Sequence, residues 1–252
     1  MRVTFLGTGT SQGIPVIGCG CEVCRSADSK NKRLRVSVLI ETDKIIVIDS
    51  GPDFRYQMLR AGVKDLDAIL YTHEHKDHVA GLDDIRPFNY LLKKRIAIYA
   101  TERVQNALQR EFSYIFADTK YHGLPQIDVH GVDEQDFMIG ETIITPIEIM
   151  HYKLPITGYR IGDFTYITDA KTISASSLAK IEGTKYLVIN ALQKEDHISH
   201  FTLQEAIDFA EKVGAEMTYF THMSHNLGLH ADIEKELPPH IRLAYDGLSI
   251  TI

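Results

Sequence analysis

The chain has 252 residues, 44% of them hydrophobic, which is long enough for one or two domains with a sizeable core. Its formal net charge of −7 weighs against a protein that coats nucleic acid nonspecifically, because that affinity comes from Lys and Arg neutralising phosphates; a local basic patch stays open. No stretch approaches the roughly 20 apolar residues that span a bilayer, and the opening Met1-Arg2-Val3-Thr4-Phe5-Leu6 lacks the apolar segment of a secretory leader, so a cytoplasmic protein without a membrane partner is expected.

Val3 to Leu6 reads as a strand ending at Gly7-Thr8-Gly9-Thr10-Ser11, a turn whose amides can approach a ligand closely. Cys19, Cys21 and Cys24 follow. An odd, tight cluster is poor disulfide material, whereas three neighbouring thiolates can fill three corners of a tetrahedral zinc site whose fourth ligand lies elsewhere. Val36 to Glu41 and Lys44 to Ile48 read as strands. The second closes in Asp49-Ser50-Gly51-Pro52, where an Asp hydrogen-bonds neighbouring backbone or a ligating histidine. Phe54 to Ala61 reads as a helix stopped by Gly62.

The densest chemistry comes next, in Thr72-His73-Glu74-His75-Lys76-Asp77-His78, directly after the apolar run that ends at Leu70. Residues two apart in an extended segment point the same way, so His73 and His75 can grip one ion while Asp77 and His78 face a neighbour. A solvated charged loop is the bland alternative, but four ligand-type side chains rarely coincide at this spacing. A helix through Leu92, a strand at Ile96 to Tyr99 and a helix from Thr101 to about Phe116 follow, the last with Val104, Leu108, Phe112 and Ile115 at helical spacing. Phe112, Tyr114 and Phe116 read as core or interface, and His122 and His130 as ordinary residues.

Ile143 to Met150 reads as a long strand with His151 at its end and Gly158 to Ile161 as its hairpin partner; Phe164 to Ala170 is a further strand, ending in Asp169. After a strand at Lys185 to Ile189, Thr202 caps a helix to Val213, with His197 and His200 just before it. Met217 to Phe220 is a strand closing on His222 and His225. A short helix at Ile233 to Leu237 and a closing hairpin around Asp246-Gly247 complete the chain, with His230 and His240 read as surface residues. Strands and helices thus alternate in two halves. This predicts an α/β class, four-layer αβ/βα sandwich in one domain over residues 1–252, with ligands at strand ends converging on one edge.

His73-x-His75-x-Asp77-His78, with Thr72 and Gly81-Leu82 around it, resembles the signature of the metallo-β-lactamase superfamily, in particular its nuclease and phosphodiesterase branches. Gly18-Cys19-x-Cys21-x-x-Cys24 is similar to an element of the phosphoribosyl cyclic phosphodiesterase of the carbon–phosphorus lyase pathway. The resemblance implies two divalent ions, Mn²⁺ or Zn²⁺: one held by His73, His75 and His151, the other by Asp77, His78 and His222, with Asp169 bridging and Asp49 in support. It also implies a structural zinc on Cys19, Cys21, Cys24 and His225, and a site that Asp246 approaches. His200-x-Thr202 resembles the His-Ser-Thr element of tRNase Z, so His200 rather than His197 is expected to serve catalysis beside Asp77.

The implied activity is hydrolysis of a small phosphodiester of cyclic nucleotide or ribose type. The implied partner is that substrate, with neither membrane nor nucleic acid, and a homodimer is compatible. A tRNA 3′-processing endonuclease is the runner-up, weakened because no insertion rich in Gly, Pro and basic residues is visible. A non-hydrolytic accessory protein, like the pyrroloquinoline quinone branch, is the reading from another class. It shares a cysteine-rich zinc loop but departs from the full ligand set.

Overall fold

The computed structural model describes residues 1–117 and 123–252. Strands β1 (Arg2–Gly7), β2 (Ser37–Glu41), β3 (Ile45–Ile48), β4 (Ala68–Leu70), β5 (Ile96–Ala100) and β6 (Ile127–Gly131) lie side by side in that order. A second sheet holds β7 (Phe137–Ile139), β8 (Thr142–His151), β9 (Leu154–Ile161), β10 (Phe164–Tyr166), β11 (Tyr186–Asn190), β12 (Met217–Thr221) and β13 (Ile241–Leu243). The last strand, β14 (Ser249–Thr251), returns to the first sheet and pairs with β1. Strands joined by short turns (β2/β3, β7/β8, β8/β9 and β9/β10) are antiparallel and the strands fed by long helical crossovers are parallel, while β1 pairs antiparallel with β2 across the longer cysteine-bearing segment.

Side-chain alternation along the strands sorts the core into three layers. Ala68 and Leu70 of β4 face inward with Val3, Phe5, Ile46, Ile48, Tyr159, Phe164 and Val188, filling the space between the sheets. Ile69, one residue out of phase, faces outward, where Phe54 and Met58 of helix α2 (Phe54–Ala61) and Val104 and Leu108 of a later helix cover it. The second sheet repeats the pattern: Leu187 and Ile189 face outward beneath Leu203, Ala206 and Ala210. Two sheets with helices on both outer faces make the αβ/βα sandwich. Among the described residues no helix is long and apolar enough to cross a membrane.

The remaining helices are α1 (Glu22–Arg25) in the cysteine loop, α3 (Lys76–Val79), α4 (Arg86–Leu92), α5 (Glu102–Glu111), α6 (Ser113–Phe116), α7 (Ala175–Ile181), α8 (Leu203–Val213) and α9 (His230–Glu236). Where sequence patterning fixes an end, the structure agrees: Gly62 takes φ 65° past α2, and Thr202 forms a full capping box with Glu205 before α8.

Four expectations are corrected. The helix expected to run from Thr101 to Phe116 breaks at Phe112, whose φ −116° and ψ 40° leave the helical region, so α5 and α6 are separate. The strand expected over Phe164 to Ala170 keeps its ladder only to Tyr166, and Asp169 turns away with φ 56°. The closing hairpin does not form. Asp246 instead accepts hydrogen bonds from the Leu34 amide and the Thr8 hydroxyl, both 2.8 Å, and the Gly247 amide donates to the Phe5 carbonyl, so the chain crosses from one sheet to the other. His230 is not on the surface: it begins α9 at 4% exposure, with Nδ1 3.0 Å from the guanidinium of buried Arg33. His122 lies outside the described residues. His130 stacks on Tyr99, and His240 stands 3.3 Å from Glu211 at the surface.

Candidate metal centre

Strand β4 ends by pushing its ligands out of the sheet at one edge of the sandwich. Its apolar residues and Tyr71 are fully buried, which fixes the register, and the polar residues begin at Thr72. Asp49, at the end of β3 with φ 63°, accepts from the Thr72 amide and hydroxyl (both 2.8 Å) and from His78 Nδ1 at 2.7 Å. With its Nδ1 proton held there, His78 turns Nε2 toward the Asp77 and Asp169 carboxylates. These are the hydrogen bonds to neighbouring backbone and to a histidine that the sequence leads one to expect of Asp49.

The metal loop rests on close backbone contact. An added methyl at Gly51 would stand 2.0 Å from the Asp77 carbonyl oxygen, and one at Gly81 would stand 2.3 Å from that of Gly51. Two ion pairs clamp the loop to α5: Glu74 with Arg103 at 2.5 Å, and Lys76 with Glu111.

The second half of the chain reaches the same edge through cross-sheet bonds. The Tyr159 hydroxyl donates to the Tyr71 carbonyl at 2.7 Å, and the Thr157 amide donates to the Thr72 carbonyl at 2.9 Å. His151, the last residue of β8, donates through Nδ1 to the Ser199 carbonyl at 2.8 Å. Asp169 is locked by its neighbour: the Asn190 side chain bonds both the amide and the carbonyl of Ala170, at 2.7 and 3.0 Å. His222, just beyond β12, sits at φ 55° before Met223, which bonds the backbone of Thr8 and Thr10 at 3.0 Å each.

These elements assemble two overlapping groups. His73, His75, His151 and Asp169 each place a ligand atom within 4.8 Å of the others, and so do Asp77, His78, Asp169 and His222. Asp169 belongs to both: Oδ2 lies 3.6 Å from His73 Nε2 and 3.4 Å from His78 Nε2, and Oδ1 lies 3.0 Å from His222 Nε2. Asp77 Oδ2 lies 3.2 Å from His78 Nε2 and 3.7 Å from His222 Nε2. These charged neighbours stand close without hydrogen-bond geometry; His78 Nε2 and both His222 nitrogens are buried and unpartnered. Lone pairs that converge on a point rather than on one another fit a cation.

Burial drives His73 well below its ordinary value, leaving a neutral imidazole. Burial alone would raise Asp169, but the His222 and His78 rings beside it hold its carboxyl well below the usual range. Burial alone would lower His78, but the Asp77, Asp169 and Asp49 carboxylates around it raise the ring well above its ordinary value. A metal takes imidazole in its neutral form and carboxylate ionised, so an ion here would take the place of the proton His78 holds among these carboxylates; the donor mixture suits zinc, manganese or iron. The residues fit a pair of divalent ions.

His200 stands beside this centre. Its Nε2 is 3.6 Å from Asp169 Oδ2 and has no hydrogen-bond partner, its ring centroid is 4.6 Å from that of His151, and burial lowers it to about 4. Nδ1 lies 3.0 Å from Ser199 Oγ and 3.2 Å from His197 Nδ1. His197 is outside both groups. Three residues beyond His222, His225 Nδ1 faces the thiols of Cys19, Cys21 and Cys24 at 3.3, 3.4 and 3.6 Å, a third group with the donor set of a closed tetrahedral zinc site. The Cys24 amide, followed by His225, lowers the Cys21 thiol to about 6. Asp246 belongs to none of the three groups; it braces the turn after β1. Sequence reasoning misses Ser199, whose contribution is a carbonyl, and Arg103, which lies one helix away.

Fold and site together describe a two-sheet sandwich with a histidine–aspartate centre where the strands end. The profile of the β-lactamase superfamily domain matches residues 44–223. A crystal structure of a diphosphatase from the PhnP family is 40% identical and superposes with a TM-score of 0.93, covering 100% of this chain and 97% of that one. The chain belongs to the metallo-β-lactamase superfamily and, within it, to the PhnP family.

A Porphyromonas gingivalis protein named octanoyltransferase is 42% identical over 256 residues, taking in 100% of this chain and 52% of that protein; the chain spans about half the length of this curated relative. Zinc-bound PqqB of Methylobacterium extorquens, 18% identical with a TM-score of 0.80 and full coverage of both chains, shares the fold.

Proposed function

We propose that this chain is a metal-dependent hydrolase of small phosphodiesters of the cyclic nucleotide or ribose type. The observation that carries the reading is Asp169: one buried carboxylate belongs to two ligand groups at once, as a site built around two adjacent cations needs. His73, His75 and His151 complete one group, and Asp77, His78 and His222 the other, with Cys19, Cys21, Cys24 and His225 as a separate structural zinc site.

When bound, such a pair of ions supplies a nucleophile at neutral pH and neutralises charge on the phosphoryl oxygens. The chain's own residues do the rest. Asp49 holds the His78 Nδ1 proton and so aims Nε2 at the centre. With Nδ1 of His200 accepting from Ser199 Oγ, the ring proton sits on Nε2, the unpartnered atom beside Asp169, placed to donate a hydrogen bond to a phosphoryl or leaving oxygen as charge develops there. His75 is the exposed member of its group and marks the side from which substrate arrives.

Bis-p-nitrophenyl phosphate with added Mn²⁺ tests the reading. Metal-dependent release of nitrophenolate is expected, and His200→Ala should lower turnover by about 10²–10⁴ with bound metal unchanged. Unchanged turnover in that variant would remove His200 from the mechanism. No metal-dependent hydrolysis by the wild type would favour the non-hydrolytic accessory reading instead. A second reading, cleavage of a diphosphate, is favoured by the 40% identity to a protein bearing that name. ADP-ribose turned over faster than a cyclic phosphate under the same Mn²⁺ conditions, with products separated by chromatography, would select it.

A further inference from the structure

The turn that follows His151 contains a residue that folding alone does not account for. β8 and β9 pair with His151 opposite Leu154, so the whole connection is Tyr152 and Lys153. Tyr152 takes φ 56°, in the left-handed region. Two-residue hairpin turns place Gly, Asn or Asp in such positions because a larger side chain crowds the backbone there. The usual compensation would be burial, yet Tyr152 is 49% exposed. A bulky residue held in a strained conformation while half exposed points from strain to function.

Its surroundings indicate what that function is. Tyr152 is one peptide from His151, whose ring centroid is 5.3 Å from His75 and 4.6 Å from His200, so the turn stands at the rim of the centre. Lys153 Nζ lies 5.3 Å from the Tyr152 ring centroid and forms no ion pair among the described residues, leaving an uncompensated positive charge at the same rim. Across from the turn, the Ser199 carbonyl accepts the His151 proton, and the next residue back, Ile198, is 65% exposed. An exposed aromatic ring with a cation over it and an exposed aliphatic side chain thus sit on the two segments that carry His151 and its hydrogen-bond acceptor Ser199.

We propose that Tyr152 and Lys153 form the subsite for the rest of the substrate, a planar base stacking on the Tyr152 ring while Lys153 offsets phosphate charge, so that the substrates are nucleotides rather than base-free sugar phosphates. This rests on the phosphodiester reading and narrows it.

The test is calorimetric binding to the Mn²⁺-loaded full chain, comparing AMP with ribose 5-phosphate, which differ only in the base. AMP should bind about tenfold more tightly, as stacking of one base on one aromatic ring provides. Tyr152→Gly should abolish that ratio, Tyr152→Phe should keep it, and the melting temperature of Tyr152→Gly should be unchanged or higher because glycine accepts the left-handed backbone. Lys153→Ala should weaken both ligands by a similar factor and keep the ratio. Equal affinities in the wild type, no binding of either ligand, or a ratio that survives Tyr152→Gly would each overturn the subsite. Binding needs no turnover, so a base preference without hydrolysis of bis-p-nitrophenyl phosphate would sink the hydrolase reading alone, and hydrolysis without a base preference the subsite alone.

Discussion

A methyl group at Gly51 would have to share space with the Asp77 carbonyl 2.0 Å away, and that contact is backbone, which cannot swing aside. Gly51→Ala should therefore cost about 1–3 kcal/mol through overpacking and move the segment carrying Asp77 and His78. A lowered urea midpoint and weaker retention of metal against a chelator are expected; a variant matching wild type in both would mean the loop is less tightly seated than the contact implies. His230 offers a second test at this scale. Burial, followed by the charge of Arg33, lowers it from 6.5 to about 4. The unfolded chain takes up the proton first, so the contribution of neutral His230 is complete above about pH 6.5 and is lost as pH falls toward 4. Urea midpoints from pH 7 to pH 4.5 should fall more steeply for the wild type than for His230→Asn, and parallel curves would show that the ring titrates normally.

Among the elements, α8 is the one whose start is written most plainly. Thr202 Oγ1 accepts from the Glu205 amide at 3.2 Å, and Glu205 accepts from the Thr202 amide at 2.8 Å. Thr202→Ala should cost about 1 kcal/mol, with metal content unchanged because the cap touches none of the ligand groups; loss of metal would tie α8 to the centre more closely than the hydrogen bonds do. Caps and glycine stops are legible because they are local: Gly62 and Thr202 act on the residues beside them. Sheet membership is not. β13 and β14 are adjacent in sequence and read as a hairpin, yet the partners that separate them, β12 and β1, lie elsewhere along the chain. β7, three residues long, is too short to leave a periodic signal.

At the scale of the molecule the same division holds for the site. His73, His75, Asp77 and His78 are legible because one loop carries them all. His151, Asp169 and His222 stand alone at strand ends, where resemblance rather than residue chemistry singles them out, and the two cross-sheet bonds from Tyr159 and Thr157 leave no pattern that would place them beside the loop. The strain at Tyr152 is invisible in sequence for a different reason, since a tyrosine between a strand and a lysine suggests no left-handed backbone. The central claim is that side chains from both halves hold two ions through one shared carboxylate, with a further ion at the cysteines. Metal content per chain, counted for the wild type, Asp169→Asn and Cys21→Ser, tests it most directly. Expected are about three divalent ions in the wild type, one for each ligand group with Asp169 shared, loss of at least one but not the cysteine-bound zinc in Asp169→Asn, and loss of one zinc alone in Cys21→Ser. A wild type carrying only a cysteine-bound zinc, or Asp169→Asn retaining its full complement, would contradict it.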